Sequence, residues 1–586
     1  MYFGAAGLLA LALAGCGGGG GGGTTPTTTG DTTTTSGTSA TVAVAPPTGT
    51  PIDAARLSAT EWAALAPSGA VTSAAVNSPP VFTFQITDPN NRGIKGLGFT
   101  SQTSTAARPG LSNLAFTLAK LVPGTNGAPS KWVSYIIMGN PTTTAAGTPG
   151  RPTSDNIGTL VDNGDGTYKY TFYRDITKVK DDAAAATYTG ANKLADLGDL
   201  TYDPTLVHRV VIQVGGNARG TGTNTANGAN SGVTAVPMGK PTNIVFDWIP
   251  ATGKVLTATD DGQREIVKVS ACFECHEKFT FHGGNRQDTK MCVTCHTDQR
   301  KYGRTEATAT GSALSGSTYL VGGFSLGDLP NMIHKTHLGH YLTKSGYNYA
   351  GVEFNHVTYP QPIKNCTKCH DGSSTAKNKT AQGDNWKNVP SRLACGSCHD
   401  GINWTTGKGV TLADAREGLT TSAYGHVGGA QADDKNCALC HNSAAIPVYH
   451  TTVDPTGANG RGGYPLNTAA DTPTTGYPSG QGPSIPLASQ LNMPAGVYKI
   501  NFEISQVTVA GAAGAKKATV KYRVLKDGQP VTFNAANTPY LMDNVDGSPS
   551  VYVMYAVPQD GIATPADWNA SKSASMRALR DGTNGN

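Results

Sequence analysis

The sequence predicts two β modules of Greek-key or split-barrel type flanking a loop-rich block of short helices. Three observations carry that reading. Short runs of alternating apolar and polar residues occupy 79–265 and return at 491–586. Between them, over 266–455, alternation disappears while cysteine and histidine concentrate: ten of the eleven cysteines fall between Cys272 and Cys440, and twelve of the thirteen histidines between His276 and His450. The composition is turn-rich and weakly charged, with 73 Gly and 35 Pro in 586 residues and 15% charged side chains against an ordinary share of about 25%. An apolar share of 38% still supplies cores for a chain of this length, which excludes wholesale disorder. The excess of 45 Lys+Arg over 40 Asp+Glu is too small and scattered for a nucleic-acid surface. No apolar run reaches the roughly 18 residues that a spanning helix needs.

Residues 2–15 form an apolar run of signal-peptide length that ends in Leu13-Ala14-Gly15-Cys16, without the Lys or Arg that usually precedes such a run. A small residue before a lone cysteine, then a flexible polar stretch, is the pattern of a bacterial lipoprotein cleavage site. Residues 1–15 therefore read as a signal peptide and Cys16 as a lipidated N-terminus. Gly17 in place of an aspartate accords with sorting to the outer membrane. Residues 16–78, with seven successive glycines and then Thr-rich sequence, read as a tether, because such a composition buries too little apolar surface to offset its conformational entropy.

In the first module, strands are expected at 81–86, 132–136 and 209–214, with a hairpin formed by 159–161 and 167–172 around its Asn-Gly and Asp-Gly turn. After a Gly/Pro/Thr-rich linker at 456–490, strands are expected at 497–504 and 520–524. Gly127-Ala128-Pro129-Ser130-Lys131-Trp132-Val133-Ser134-Tyr135 and Gly547-Ser548-Pro549-Ser550-Val551-Tyr552-Val553-Met554-Tyr555 share one pattern, so the second module reads as a repeat of the first. The first runs on far beyond Tyr135, whereas the second stops soon after Tyr555. The second is therefore expected to be incomplete, with the native protein continuing past Asn586.

Cys-x-x-Cys-His occurs five times in the middle block: Cys272, Cys275 and His276; Cys292, Cys295 and His296; Cys366, Cys369 and His370; Cys395, Cys398 and His399; Cys437, Cys440 and His441. This is the attachment signature of c-type haem. Two thiols three residues apart reach the two vinyl groups on one porphyrin edge, and the next residue turns beneath the ring to offer an imidazole to iron. Zinc ribbons and thioredoxin-like redox pairs use Cys-x-x-Cys but do not require the histidine. Five c-type haems follow, with ten cysteines as covalent attachment points and five histidines as proximal iron ligands. Once Cys16 is counted as the lipid site, no cysteine is left for a disulfide.

A second histidine on each iron makes a closed, electron-transferring haem, whereas a single one leaves a face open for a small ligand. Of the eight other histidines, His208 lies in a strand far from the block and reads as an ordinary barrel residue, and His340, after Gly339, reads as a surface residue. His282, His334, His337, His356, His426 and His450 are the distal-ligand candidates. His282 and His356 stand ten residues before Cys292 and Cys366, and His426 eleven before Cys437. His334 and His337 are one helical turn apart and can point at two neighbouring rings. Supply exceeds demand, which favours two histidines on every iron without choosing among them.

The lipoprotein pattern at Cys16, the Thr/Gly tether, the β module, the C-x-x-C-H-x5-H-G-G-x-R run from Cys272 to Arg286, the H-K-x-H-x-G stretch from His334 and the H-x-G-G at His426 together resemble the outer-membrane multihaem cytochromes of the OmcA/MtrC type. The resemblance covers nearly the whole chain. It implies the first three of four alternating β and pentahaem domains of a decahaem protein. It also implies a lipid-anchored position on the bacterial cell surface, and transfer of electrons from a porin-embedded periplasmic multihaem cytochrome to extracellular Fe(III) or Mn(IV) oxides and flavins. No catalytic side chain and no nucleic-acid partner is implied. A ferric bis-histidine haem carries roughly −1 once its propionates ionise, so five offset the formal +5 of the chain. The alternative reading is a multihaem reductase of a small oxyanion with one open haem iron; a third is a structural or sensory surface lipoprotein.

Overall fold

Alternating apolar side chains in the first module fold into two facing antiparallel sheets. The computed structural model describes residues 38–450 and 500–583, apart from 258–259, 261, 360–362, 411–424, 513–514, 527, 539–540, 543–547, 559–562 and 565–566. Cys16, the signal segment and the 456–490 linker lie outside the described residues. In chain order the main strands of the first module are β1 (Ala40–Thr41), β2 (Ser68–Ala75), β3 (Val81–Thr87), β4 (Leu114–Val122), β5 (Lys131–Ser134), β6 (Thr159–Asp162), β7 (Thr167–Thr171), β8 (His208–Val214), β9 (Thr242–Ile249) and β10 (Lys254–Val255). One sheet has the order β1-β2-β3-β7-β6, the other β10-β9-β8-β4-β5. Phe82, Phe84 and Ile86 of β3 and Tyr168 and Tyr170 of β7 meet Phe116 and Leu118 of β4, Ile212 of β8 and Trp248 of β9, all buried. The Phe116 and Tyr170 rings stack with centroids 3.6 Å apart. Each such side chain stabilises the module by roughly 1.5–3 kcal/mol on burial.

In the first module the expected strands and hairpin are present within a residue or two, but the sequence reading missed β1, β2, β4, β9 and β10. β2 lies in the segment read as tether, so folded structure begins by Ala40 and not at 79. Its small residues are what the close approach of the sheets demands: a Cβ at Gly69 would sit 2.5 Å from Ile244 Cδ1 of β9. The same segment carries a helix, Ala59–Ala64, closed by a capping box between Ser58 and Glu61. That helix delivers the buried Trp62, whose Nε1–H donates to the Gly216 carbonyl at 3.1 Å. β4 and β9 form the middle of the second sheet with β8. Along β4 almost every residue is buried, because one face meets the opposite sheet and the other meets the Cys/His domain, and a strand covered on both faces shows no alternation.

The buried arginine and histidine of this module are paired. Arg209 forks onto Asp247 at 2.8 and 2.6 Å with both side chains almost fully buried, and its guanidinium lies 4.3 Å from the Trp132 ring centre. His208 Nδ1–H donates to the Leu206 carbonyl at 2.9 Å and Nε2 accepts from Tyr135 Oη–H at 3.2 Å. Burial lowers this imidazole to about 4, so it is a neutral structural residue.

In the second module β11 (Ile500–Ala510), β12 (Lys517–Lys526) and β13 (Gln529–Pro530) form a sheet, and β14 (Ser550–Tyr555) pairs with β15 (Ala570–Ser575). The β11–β12 hairpin repeats β2–β3. Each breaks register once in its first strand, at Ile504/Gln506 and at Val71/Ser73, and β14 and β5 carry the shared Pro-Ser-x-aromatic segment. Between the modules, the Cys/His domain combines short helices, turns and small two-stranded pairs around a small cluster of Leu326, Leu338, Tyr347 and Phe354. No described helix is long and apolar enough to cross a membrane.

Candidate functional site

All five Cys-x-x-Cys-His motifs adopt the same turn. The histidine N–H donates to the carbonyl of the first cysteine, from His276 to Cys272 and His441 to Cys437 at 2.9 Å, and from His296 to Cys292, His370 to Cys366 and His399 to Cys395 at 2.8 Å. Two cysteines three apart in a helical turn share a face, so both thiols point one way and the imidazole follows at the helix end. Two helices are started by side-chain caps: Asp288 accepts from Lys290 N–H before Thr289–Cys295, and Ser391 from Ala394 N–H before Arg392–Cys398. Burial pushes the thiols of Cys272, Cys292 and Cys366 up to about 12, and those of Cys369, Cys395 and Cys398 to about 11. These are protonated thiols in apolar surroundings, the reverse of the lowered state of a thiolate metal ligand. Among the described residues no three His, Cys, Asp or Glu side chains converge as a metal cluster. Such a site suits a metal that arrives with its own equatorial donors.

The histidines meet that requirement in pairs. Ring centroids are 6.1 Å apart for His276 and His337, 5.9 Å for His296 and His282, 5.9 Å for His370 and His334, 6.4 Å for His399 and His450, and 6.1 Å for His441 and His426. A metal–imidazole bond is about 2 Å and the nitrogen lies about 1 Å from its ring centre. Two imidazoles on opposite faces of one iron therefore sit about 6 Å apart, and the five pairs fit haem with two axial histidines.

Hydrogen bonds aim these rings. Nδ1–H of His296 donates to the Gly327 carbonyl (3.0 Å), of His337 to Ile333 (2.9 Å), of His426 to Gly429 (2.9 Å) and of His450 to Ile446 (2.8 Å). His334 Nδ1–H instead donates to the Ser397 hydroxyl at 3.0 Å. Each bond fixes the tautomer that leaves Nε2 for a metal. Burial lowers His296 and His334 to about 3 and His370 and His399 to about 4, and also lowers His282, His337, His441 and His450. All eight are held in the neutral, ligating form.

One helix organises much of the domain. Leu329–Leu338 carries His334 and His337, one turn apart, into two different pairs. Its first N–H, at Leu329, donates to the His296 carbonyl at 3.1 Å. Lys335 Nζ, almost fully buried, donates to the carbonyls of Gly396 and Ser397 inside the fourth motif at 3.0 and 3.2 Å.

The His282/His296 pair is built on the first β module. His282, Gly283 and Gly284 have φ of 56°, 67° and 74°, a left-handed run that costs on the order of 1 kcal/mol at the histidine. The following residues pin that loop to the second sheet. Asn285 Oδ1 accepts from Gly216 N–H (2.7 Å), the Asn285 carbonyl accepts from Asn243 Nδ2 (3.0 Å), and Asn243 Oδ1 accepts from Gln287 N–H (2.7 Å). Arg286 Nε donates to Gln213 Oε1 at 3.1 Å. On the proximal side, Thr294 Oγ1 donates to Thr117 of β4 at 2.9 Å, and Gln299 bonds both main-chain groups of Ser134. Cys295 is accordingly buried at 4% exposure, whereas at the fifth motif Leu439 is 76% and Val427 84% exposed.

Five of the six distal candidates thus face a motif histidine, and His356 does not. It is exposed, and no described histidine ring is packed against it. Its ten-residue offset from Cys366 carries no geometry, because Val357 N–H closes a turn onto the carbonyl of buried Phe354 and leaves His356 outward; His334 faces His370 instead. His340 is exposed, in line with the sequence reading. The residues that aim the ligands, Asn243, Asn285 and Gln287 together with Ser397 at a variable position of the fourth motif, carry no sequence signal for that role.

Comparison with known proteins gives a match for residues 264–451 to the family described as outer membrane cytochrome MtrC/MtrF-like, domains II/IV. The chain is 25% identical over 347 residues to the multiheme cytochrome MtrC of Shewanella baltica (strain OS185), over 58% of this chain and 37% of that protein. The crystal structure of MtrC from Shewanella baltica OS185 aligns with a TM-score of 0.37 at 20% identity, over 79% of this chain and 51% of that one. The crystal structure of the outer membrane decaheme cytochrome OmcA aligns with a TM-score of 0.41 at 19% identity, over 83% and 57%. The chain therefore spans little more than a third of its curated relative and about half of each solved chain. The likeness to the multihaem cytochromes of the OmcA/MtrC type is thus carried by the Cys/His domain, over residues 264–451.

Proposed function

We propose that this chain holds five c-type haems and transfers electrons at the outer surface of the bacterial outer membrane. It would be anchored through a lipid on Cys16 and receive electrons from a porin–periplasmic cytochrome complex. Extracellular Fe(III) or Mn(IV) oxides and flavins are the acceptors. In this reading the domains run as first proposed from the sequence, with the first β module extended back to Ala40, and all ten motif cysteines carry haem. The observation that carries the reading is the set of five histidine pairs with centroids about 6 Å apart.

Haem held by the paired histidines would supply one-electron exchange between ferric and ferrous iron. The protein's part is to hold His282, His296, His334, His337, His370, His399, His441 and His450 neutral by burial and to fix five of the rings, those of His296, His334, His337, His426 and His450, through Nδ1. It also keeps the attachment thiols in apolar surroundings, with the second motif packed on a preformed sheet. A reductase of a small oxyanion needs an open axial position, and the five facing histidine pairs support the electron-transfer reading instead. Stopped-flow mixing of the reduced holoprotein with ferric citrate, flavin or nitrite tests this. Rapid oxidation by ferric citrate and flavin, with none by nitrite, is expected; turnover of nitrite would overturn the reading in favour of the reductase.

A further inference from the structure

The Leu329–Leu338 helix packs along Arg392–Cys398, and two side chains at that junction serve a motif other than their own. Ser397 belongs to the fourth Cys-x-x-Cys-His and is fully buried. Its hydroxyl proton goes to the Ala394 carbonyl at 2.5 Å, which leaves its lone pairs to accept from His334 Nδ1–H at 3.0 Å. His334 faces His370 of the third motif. Of the five Nδ1 bonds named above, the other four end on main-chain carbonyls, whereas at His334 a replaceable hydroxyl stands beside the Pro330 carbonyl. Lys335, the next residue, extends its ammonium to the Gly396 and Ser397 carbonyls and lies 5.1 Å from the Tyr347 ring centre. The acid facing this group is Asp400, which is engaged by Tyr347 Oη at 2.9 Å and by the N–H groups of Thr343 and Lys344 at 2.8 and 3.0 Å.

Hydrogen bonds to axial histidines and buried charge are levers on haem potential. An acceptor on Nδ1–H makes the imidazole a stronger donor and favours ferric iron. A buried cation favours the less positive ferrous state, and low dielectric strengthens it. We propose that Ser397 and Lys335 are opposed positioning residues for the haem held between His370 and His334: the hydroxyl lowers its potential and the ammonium raises it. The proposal rests on the reading of the five histidine pairs as axial ligand sets. It makes the attachment motif of one haem a control element for its neighbour.

Spectroelectrochemical titration of the holoprotein near neutral pH tests it, with the relevant wave identified as the one altered in His334→Met. Ser397→Ala is expected to move that wave upward and Lys335→Met to move it downward, each by up to about tenfold in the reduction equilibrium, which is 59 mV for a one-electron couple. Ser397→Thr, which keeps the hydroxyl, is expected to stay at the wild-type position. The Pro330 carbonyl also faces His334, so the ring keeps its orientation in the alanine variant. Unmoved waves, or shifts of the same sign as general loosening would give, overturn the proposal while five low-spin haems leave the ligand reading intact. High-spin iron or fewer than five haems in the wild-type protein would overturn that reading and the proposal with it.

Discussion

The first β module and the Cys/His domain are held together in opposite ways. The module has a continuous core of Phe82, Phe84, Phe116, Tyr170, Ile212 and Trp248 between two sheets, and its buried charges are paired within it. The Cys/His domain has short helices, the longest among the described residues being Leu329–Leu338 at ten residues, and isolated helices shorter than about 12–15 residues are marginal in water. Its apolar cluster is small. What it buries instead is thiols and neutral imidazoles, arranged in facing pairs. The contrast sets a module with its own core beside a domain whose order, on the proposed reading, depends on haem held between its ring pairs and on the sheet beneath its second motif.

The largest effect that could break this contrast comes from withholding haem attachment from the full chain. Limited proteolysis with mass-spectrometric mapping is expected to cut throughout 266–450 while 40–255 stays protected; equal resistance of both regions would refute the contrast. Within the module, Arg209→Ala leaves Asp247 buried without its partner and is expected to cost about 3–5 kcal/mol, read by urea unfolding through tryptophan fluorescence. A pH effect of similar size follows from His208, lowered to about 4 from the ordinary 6.5. Between those values the unfolded chain binds a proton that the folded module does not, so stability falls as pH drops through that window. The loss totals about 3 kcal/mol at about 1.4 kcal/mol per unit, and thermal midpoints at pH 7 and pH 4.5 for wild type and His208→Gln measure it. The smallest effect sharpens the dependence of one region on the other. Asn243→Ala removes two bonds to the His282 loop and is expected to cost about 1–2 kcal/mol. It should also expose a fraction of high-spin iron opposite His296, visible by EPR.

The parts of this molecule legible in the sequence are those fixed by covalent spacing or by one-sided burial. Cys-x-x-Cys-His is readable because two thiols and an imidazole must share one turn. β3 and β7 are readable because Phe82 and Phe84, and Tyr168 and Tyr170, alternate towards a single core. β4 is not, because Phe116 faces that core while Thr117 faces Thr294, so both sides are covered. β2 is hidden by the small residues that let Gly69 lie against Ile244. His282 and His426 follow the offset rule because each lies in a glycine-containing loop that folds back on its own motif. His356 breaks it because its turn faces water. The ligand-aiming contacts of Ser397, Asn243 and Gln287 join residues far apart in the chain, and local pattern carries no record of them.

The central claim is that five histidine pairs each close one haem iron. Low-temperature EPR of the oxidised holoprotein, with haem counted by the pyridine haemochrome, tests it most directly. Five haems per chain with only low-spin ferric signals are predicted. A count below five, or a high-spin signal in the wild-type protein, would contradict the account.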